Sequence, residues 1–178
     1  MQNLNVLFLA TYELALSLVF GVVSVVLATK LLNRFVLSSP VEKFIRERHL
    51  PGCLISGSLI FSMVFLVRGA IEQSTLALQA SVAASGGMAL KPLGIALVHF
   101  VVFYLVSFVI AFLALFVTLE LYRMLMRQID LDDEIERMGN LALSVFLSIN
   151  LIGVVLFIDK PLSHLIGSLV FYEQIGRL

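Results

Sequence analysis

Hydrophobic residues fall into four long stretches along this chain, separated by short polar connections. The stretches run from about Val6 to Leu32, Gly52 to Leu78, Leu93 to Leu121 and Leu141 to Ile158. Each reaches the length of about 20 residues that a helix needs to cross some 30 Å of hydrocarbon. Backbone groups inside a bilayer are satisfied within a helix, and these stretches lack the polar-apolar alternation of barrel strands, so they predict helices.

The predicted fold is therefore all-α: a single polytopic membrane domain over residues 1–178 with four transmembrane helices. They form two consecutive helical hairpins, residues 6–79 and 93–171. Composition favours the same fold, because 60% of the residues are hydrophobic, 13% are charged and the mean hydropathy is +1.05, unlike soluble domains. The apolar stretches predict a lipid bilayer as partner, and the formal net charge of zero predicts no nucleic acid partner.

The first stretch could be read as a signal peptide, but no basic region precedes it and it is too long. We expect it to stay on the protein as a span. Residues 50–53, Leu-Pro-Gly-Cys, resemble a lipoprotein cleavage box, yet charged residues precede them where such a box needs an apolar run. The single cysteine, Cys53, cannot form an internal disulfide.

Basic residues in the connections predict the orientation of the spans. The first connection carries Lys30, Arg34, Lys43, Arg46 and Arg48, and the third carries Arg123, Arg127 and Arg137, whereas the second has only Lys91. By the positive-inside rule, connections one and three are cytoplasmic and both termini are extracytoplasmic.

The chain divides into two similar halves. Residues 80–88 are small and neutral, which predicts a flexible link between the hairpins. The charged segment 41–48 matches 131–138 at an offset of 90 residues, and both halves start on the same side, which predicts a parallel repeat. Convergence of two ordinary hairpins is the alternative. The charged segments should extend the membrane helices or lie at the interface, either as solvated ends that set topology or as a docking surface.

Two parts of the chain resemble a known bacterial family. Residues 44–46, 52–60 and 69–71, and then residues 134–136, Gly139-Asn140-Leu141-Ala142 and 152–153, are similar to the YjfL-like inner-membrane family. That family places a charged stretch before Gly-Asn-x-Ala; the first half lacks the Asn and has Leu50-Pro51 there. The resemblance implies a four-span, two-repeat protein of the bacterial inner membrane, with envelope-stress partners and no known reaction.

Ionisable residues within spans are costly, so each one is a functional candidate. With a rise of about 1.5 Å per residue, all of them fall in the outer third of the membrane. This predicted polar cluster comprises Glu13, Arg68, Glu72, His99, Asp159, Lys160 and His164. Glu13 is the favoured partner of Arg68, with Glu72 and Asp159 as alternatives, because a short carboxylate inside the bilayer needs pairing, protonation or a watery cavity. Snorkelling to the headgroups is the alternative for the longer side chains.

Small and polar residues share helix faces and predict close helix packing. The residues are Ser17, Gly21, Ser58, Ser62, Asn150 and Gly153. Asn150, near mid-membrane, is expected to bond across helices. Asp159-Lys160-Pro161 is expected to end the fourth span and cap a short helix, with a continuous helix kinked at Pro161 as the alternative.

Motifs for catalysis are missing from the sequence. Its three histidines have no Cys or carboxylate at metal-ligand spacing, and it has no phosphate-binding loop, nucleophile elbow or HExxH helix. We expect no metal, no cofactor and no enzyme. Two hypotheses follow: a scaffold or sensor for partner proteins of the cell envelope, or a small channel or transporter that assembles as a homo-oligomer. His99 could join a proton relay or make one structural hydrogen bond.

Overall fold

A computed structural model describes residues 2–85 and 90–175 of the chain. Side chains at positions 2–6, 8, 9, 70, 74, 77, 78, 80–85, 90–93, 95, 96, 99, 166 and 169–175 lie outside this description. The helices are α1 (Gln2–Phe35), α2 (Val41–Arg46), α3 (Leu50–Ser85), α4 (Leu90–Leu125), α5 (Leu131–Glu136) and α6 (Leu141–Ile175). Within the described ranges there is no strand, so the all-α prediction is confirmed.

Four of these helices are long and apolar enough to cross a membrane. The qualifying segments are Ala10–Phe35, Leu50–Gln73, Phe100–Leu125 and Leu141–Leu165. They correspond to the four predicted spans, and the protein is a multi-pass helical membrane protein. Below, the end of the bundle that holds α2 and α5 is the connection end, and the opposite end, where α3 and α6 finish, is the terminal end.

Helix α3 is the centre of the bundle, because it packs against α1, α4 and α6. Its side chains Leu59, Met63 and Leu66 are fully buried, and they meet the fully buried Leu151 and Val155 of α6 in one hydrophobic core. The faces of α1, α4 and α6 turned away from α3 expose leucine, valine and phenylalanine. Such faces match a lipid environment, because lipid tails are as apolar as these side chains and burying them gains no hydrophobic free energy.

Two predicted boundaries are wrong. Residues 80–85 of the predicted link are the last turns of α3, and the rest of that link, 86–88, lies outside the described residues. Helix α6 runs through Pro161 without ending, so the chain has the continuous helix and not the capped break. Proline removes one backbone donor, whereas ending a helix within a bilayer would leave several backbone groups unsatisfied.

The backbone hydrogen bonds at the connection end recur in the two halves. In the first half, Glu47 N donates to Lys43 O; in the second, Arg137 N donates to Asp133 O, 90 positions later. After one extra residue the offset becomes 91. The left-handed residues, Arg48 (φ 55°) and Gly139 (φ 67°), and the first residues of α3 and α6 differ by that number. Each hairpin thus uses the same turn from its short helix into its second long helix.

Candidate functional sites at the two ends of the bundle

Arg123, in the last turn of α4, is the centre of a polar network at the connection end. Its Nη1 donates to Glu120 Oε1 at 2.6 Å, and its Nη2 donates to the two carboxylate oxygens of Asp132 at 3.0 and 3.2 Å. The same Nη2 lies 3.3 Å from the carbonyl oxygen of Val36, to which it donates. Val36 follows α1, so this guanidinium ties the second hairpin to the first.

Glu136 makes a second tie between the hairpins. Its Oε1 accepts from the backbone N–H groups of Ser38 and Ser39, each at 3.2 Å. These two donors lie in the turn between α1 and α2, which contains no helical partner for them. A carboxylate that accepts two backbone N–H groups forms charge-assisted bonds, which are stronger than neutral ones. The two connections are therefore one bonded unit.

Local caps hold the short helices in place. Asp130 accepts from the N–H groups of Asp132 and Asp133 at the start of α5. In the first half, Asn33 of α1 caps the start of α2: its Oδ1 accepts from Val41 N and its Nδ2 donates to Glu42. Both α2 and α5 have six residues, and side-chain oxygens thus accept from backbone N–H groups at the start of each.

The second long helix of each hairpin begins at an equivalent side-chain cap. Asn140 Oδ1 accepts from Leu143 N at 3.1 Å, and His49 Nδ1 accepts from Gly52 N at 3.1 Å. His49 also stacks on Phe44, with ring centroids 5.6 Å apart. The Asn that the first half lacks in sequence is replaced by His49, which fills the same capping role.

Beneath this network lies a small cavity of about 40 Å³. Apolar side chains of α3, α4 and α6 line it, including Ile55, Leu119 and Leu147, together with Leu37 of the turn after α1, while Arg123 and Asp132 form its polar edge. A cavity of this size is comparable to the volume of one water molecule. It gives no argument for a substrate site.

At the terminal end, Arg68 pairs with Asp159. Nη2 of Arg68 lies 3.2 Å from Oδ2 of Asp159, and its guanidinium carbon lies 3.9 Å from the centroid of the Phe65 ring. Asp159 is the more buried partner. The preference for Glu13 as partner is wrong. Both Arg68 and Asp159 lie 18 residues from the starts of α3 and α6, and the two helices pack side by side, so the groups meet at one height.

The other members of the predicted polar cluster are placed as follows. Glu13 is half-buried on α1 and makes no ion pair within the described part of the chain. Glu72, Lys160 and His164 are exposed. The side chain of His99 lies outside the described residues. Among the ionisable groups of this end, the structure therefore joins Arg68 and Asp159.

Close helix contact at this end is made by glycines. A Cβ built on Gly69 would lie 2.9 Å from Ser163 Oγ, and one built on Gly167 would lie 3.3 Å from Gln73 Oε1. Helices α3 and α6 thus approach each other closely at positions where glycine has no side chain, as helices do at small-residue interfaces in membranes.

The predicted packing residues divide into two groups. Ser58 and Ser62 are buried on α3, whereas Ser17 and Gly153 are exposed and a Cβ on Gly21 or Gly153 would meet nothing within 4 Å. The expected cross-helix bond of Asn150 is not formed: its Nδ2 donates to Phe146 O of its own helix at 2.7 Å. Within the described residues, no other helix offers Asn150 a hydrogen-bond partner. A cross-helix bond does occur between Ser24 Oγ and Tyr104 OH at 2.9 Å.

Among the described residues, no group of three or more His, Cys, Asp or Glu could hold a metal ion.

Comparison with known proteins finds a family match in the second half of the chain. No curated protein matches the chain. No solved structure matches it either. Residues 95–176, which include most of α4 and all of α5 and α6, match the model of a family described as Domain of Unknown Function (DUF350), so this half of the chain is similar to an uncharacterised family.

Proposed function

We propose that the protein is a membrane scaffold or sensor that presents its connection end to a partner protein. The observation that carries this proposal is the pair of ties between the hairpins. Arg123 reaches Val36 and Glu136 reaches Ser38 and Ser39. Segments that only set topology need no such ties, because basic charge alone determines the orientation.

The surface formed in this way has features of a protein contact. Ile45, in the last turn of α2, and Met138, two residues after α5, are exposed at the connection end beside the charged residues of both connections. Exposed apolar side chains within a polar rim are typical of interaction sites. The basic residues of the two connections favour a cytoplasmic position for this surface, and the resemblance to the YjfL-like family favours the bacterial inner membrane and an envelope-stress partner.

Photo-cross-linking inside cells tests the proposal. A photoreactive phenylalanine analogue placed at position 45 or 138 should give an adduct of one defined mass from both positions. The same group at Val109, an exposed residue within the α4 span, should give none. Should neither position 45 nor position 138 form an adduct in cells of the source organism, the scaffold role is wrong.

Flux measurements separate this role from a channel. The space between the helices of one chain is filled by Leu59, Met63 and Leu151, each 0% exposed, so no path runs through the described core. The scaffold proposal predicts that vesicles containing the purified protein leak ions no faster than empty vesicles. Flux that falls on Glu13→Gln substitution would favour a channel built from several copies.

A further inference from the structure

The two halves of the chain differ in which faces they cover. Equivalent positions are 90 residues apart in α1 and α4, which end at Phe35 and Leu125, and 91 apart in α3 and α6, which begin at Leu50 and Leu141. If the halves were covered alike, equivalent residues would have similar exposure. They do on the outer face, where Val19 is 53% and its equivalent Val109 is 55% exposed.

On another face of α1, equivalent residues of the two halves differ in exposure. Leu14 and Leu18 are each 68% exposed, whereas their equivalents in α4, Tyr104 and Phe108, are 3% and 6% exposed. Gly21 follows the same rule, since its equivalent Ala111 is fully buried while a Cβ on Gly21 would meet no atom within 4 Å. A face that the second half buries inside the chain is left open on the first half.

Helix α6 has the complementary open face. Ile149 and Phe157 are 65% and 84% exposed, whereas their equivalents in α3, Ser58 and Leu66, are 7% and 1% exposed. Gly153, equivalent to the fully buried Ser62, is exposed with open space around it. These residues, together with Asn150, line a groove along α6.

We infer that the open face of α6 binds α1 of a second copy of this chain, repeating the contact that α3 makes with α4 inside one chain. The occupant follows from continuity: α3 packs closely on α4, and the equivalents of those two helices are α6 and α1. Each copy has one open face of each kind, so the interface is heterologous. Copies joined in this way form a ring if the rotation between them closes.

Asn150 adds an independent argument for a protein neighbour. It lies nine residues into α6, about 14 Å from the connection end at about 1.5 Å per residue, and its Oδ1 accepts no hydrogen bond within the described part of the chain. An amide oxygen facing hydrocarbon lacks the partner that water would supply. Polar side chains and glycine together are typical of interfaces between membrane helices.

Heights along the bundle identify which residues should meet. Leu18 lies 17 residues before the end of α1, and Phe157 lies 16 residues after the start of α6. Both are therefore about 25 Å from the connection end. Their equivalents within one chain, Phe108 and Leu66, are both buried in the core.

Disulfide cross-linking between differently tagged copies tests the interface. In a Cys53→Ser background, Leu18→Cys on one copy and Phe157→Cys on the other should form a dimer that carries both tags when membranes are oxidised. Val19→Cys, the neighbouring residue on the face exposed in both halves, should not replace Leu18→Cys. Leu18→Cys alone and Phe157→Cys alone should give no dimer, because the interface joins unlike faces.

A bulky side chain in the groove provides a second test. Gly153→Ile places atoms where the chain itself has none within 4 Å, so it should lower the yield of the Leu18–Phe157 cross-link by about tenfold. Val109→Phe should leave the yield unchanged. The inference is overturned by a Val19→Cys cross-link as strong as that of Leu18→Cys, by dimers from either cysteine alone, by no dimer in any pairing, or by a yield that Gly153→Ile does not lower.

Discussion

Replacement of Arg123 by glutamine removes the main tie at the connection end. The guanidinium makes ion pairs with Glu120 and Asp132, both nearly half exposed, and a hydrogen bond to the Val36 carbonyl. Partly exposed ion pairs contribute about 0.2–1 kcal/mol each, and a bond from a charged donor to a carbonyl contributes about 1.5 kcal/mol or more. We expect the free energy of unfolding to fall by about 2 kcal/mol.

Arg137 provides the matched control for this prediction. It is a mostly exposed arginine of the same end, and it pairs with Asp133 one turn away in its own segment. Such a pair contributes about 0.3–0.5 kcal/mol, so Arg137→Gln should have a small effect. Reversible unfolding of both variants in the same mixed micelles measures the difference. The assignment of a structural role to Arg123 fails if the two variants agree within about 0.5 kcal/mol.

Three further predictions concern α3 and its contacts. Gly52→Ala would put a Cβ 2.5–2.8 Å from the buried ring of Phe44, so it should destabilise the protein by about 1–3 kcal/mol in the same unfolding assay; Gly57→Ala, with nothing within 4 Å, should not. A Cβ on Gly69 would lie 3.8 Å from that of Ser163, which is a normal Cβ separation for a disulfide. Gly69→Cys with Ser163→Cys in a Cys53-free chain should therefore form an intramolecular disulfide, seen on a gel as a mobility shift of the monomer band. Free thiols after oxidation would contradict the contact. A double-mutant cycle of Arg68→Gln and Asp159→Asn should give a coupling of about 0.5–1 kcal/mol, whereas Arg68→Gln with Glu13→Gln should be additive.

The fold could be predicted from the sequence because its dominant signal is local. A long apolar stretch in a bilayer must satisfy its backbone groups internally, which favours a helix. The four predicted stretches correspond to the four spans of the structure. The ends were less predictable. α1 continues to Phe35, beyond Leu32, where the predicted stretch ended. α6 continues through Pro161, since the bilayer makes a helix break more costly than one missing backbone donor.

The candidate sites were less predictable because they depend on packing between distant segments. Depth along a helix placed Arg68 and Asp159 in one layer, but choosing Asp159 over Glu13 required knowing that α3 packs against α6. The ties of Arg123 and Glu136 were missed, because charges in both connections look like topology signals until the two connections are side by side. His49 gave no signal as a cap, since caps are usually Ser, Thr, Asp or Asn. Only its place in the repeat, 91 positions before Asn140, could have revealed it.

The most direct test of the account is the distance between the two connections in a lipid bilayer. Spin labels at positions 45 and 138 of a Cys53-free protein, both exposed in the structure, report it by pulsed electron resonance. If the hairpins form one bonded unit at the connection end, the distances should have a single narrow distribution that broadens in an Arg123→Gln, Glu136→Gln double variant. A broad distribution in the parent protein, unchanged by that double substitution, would contradict the account.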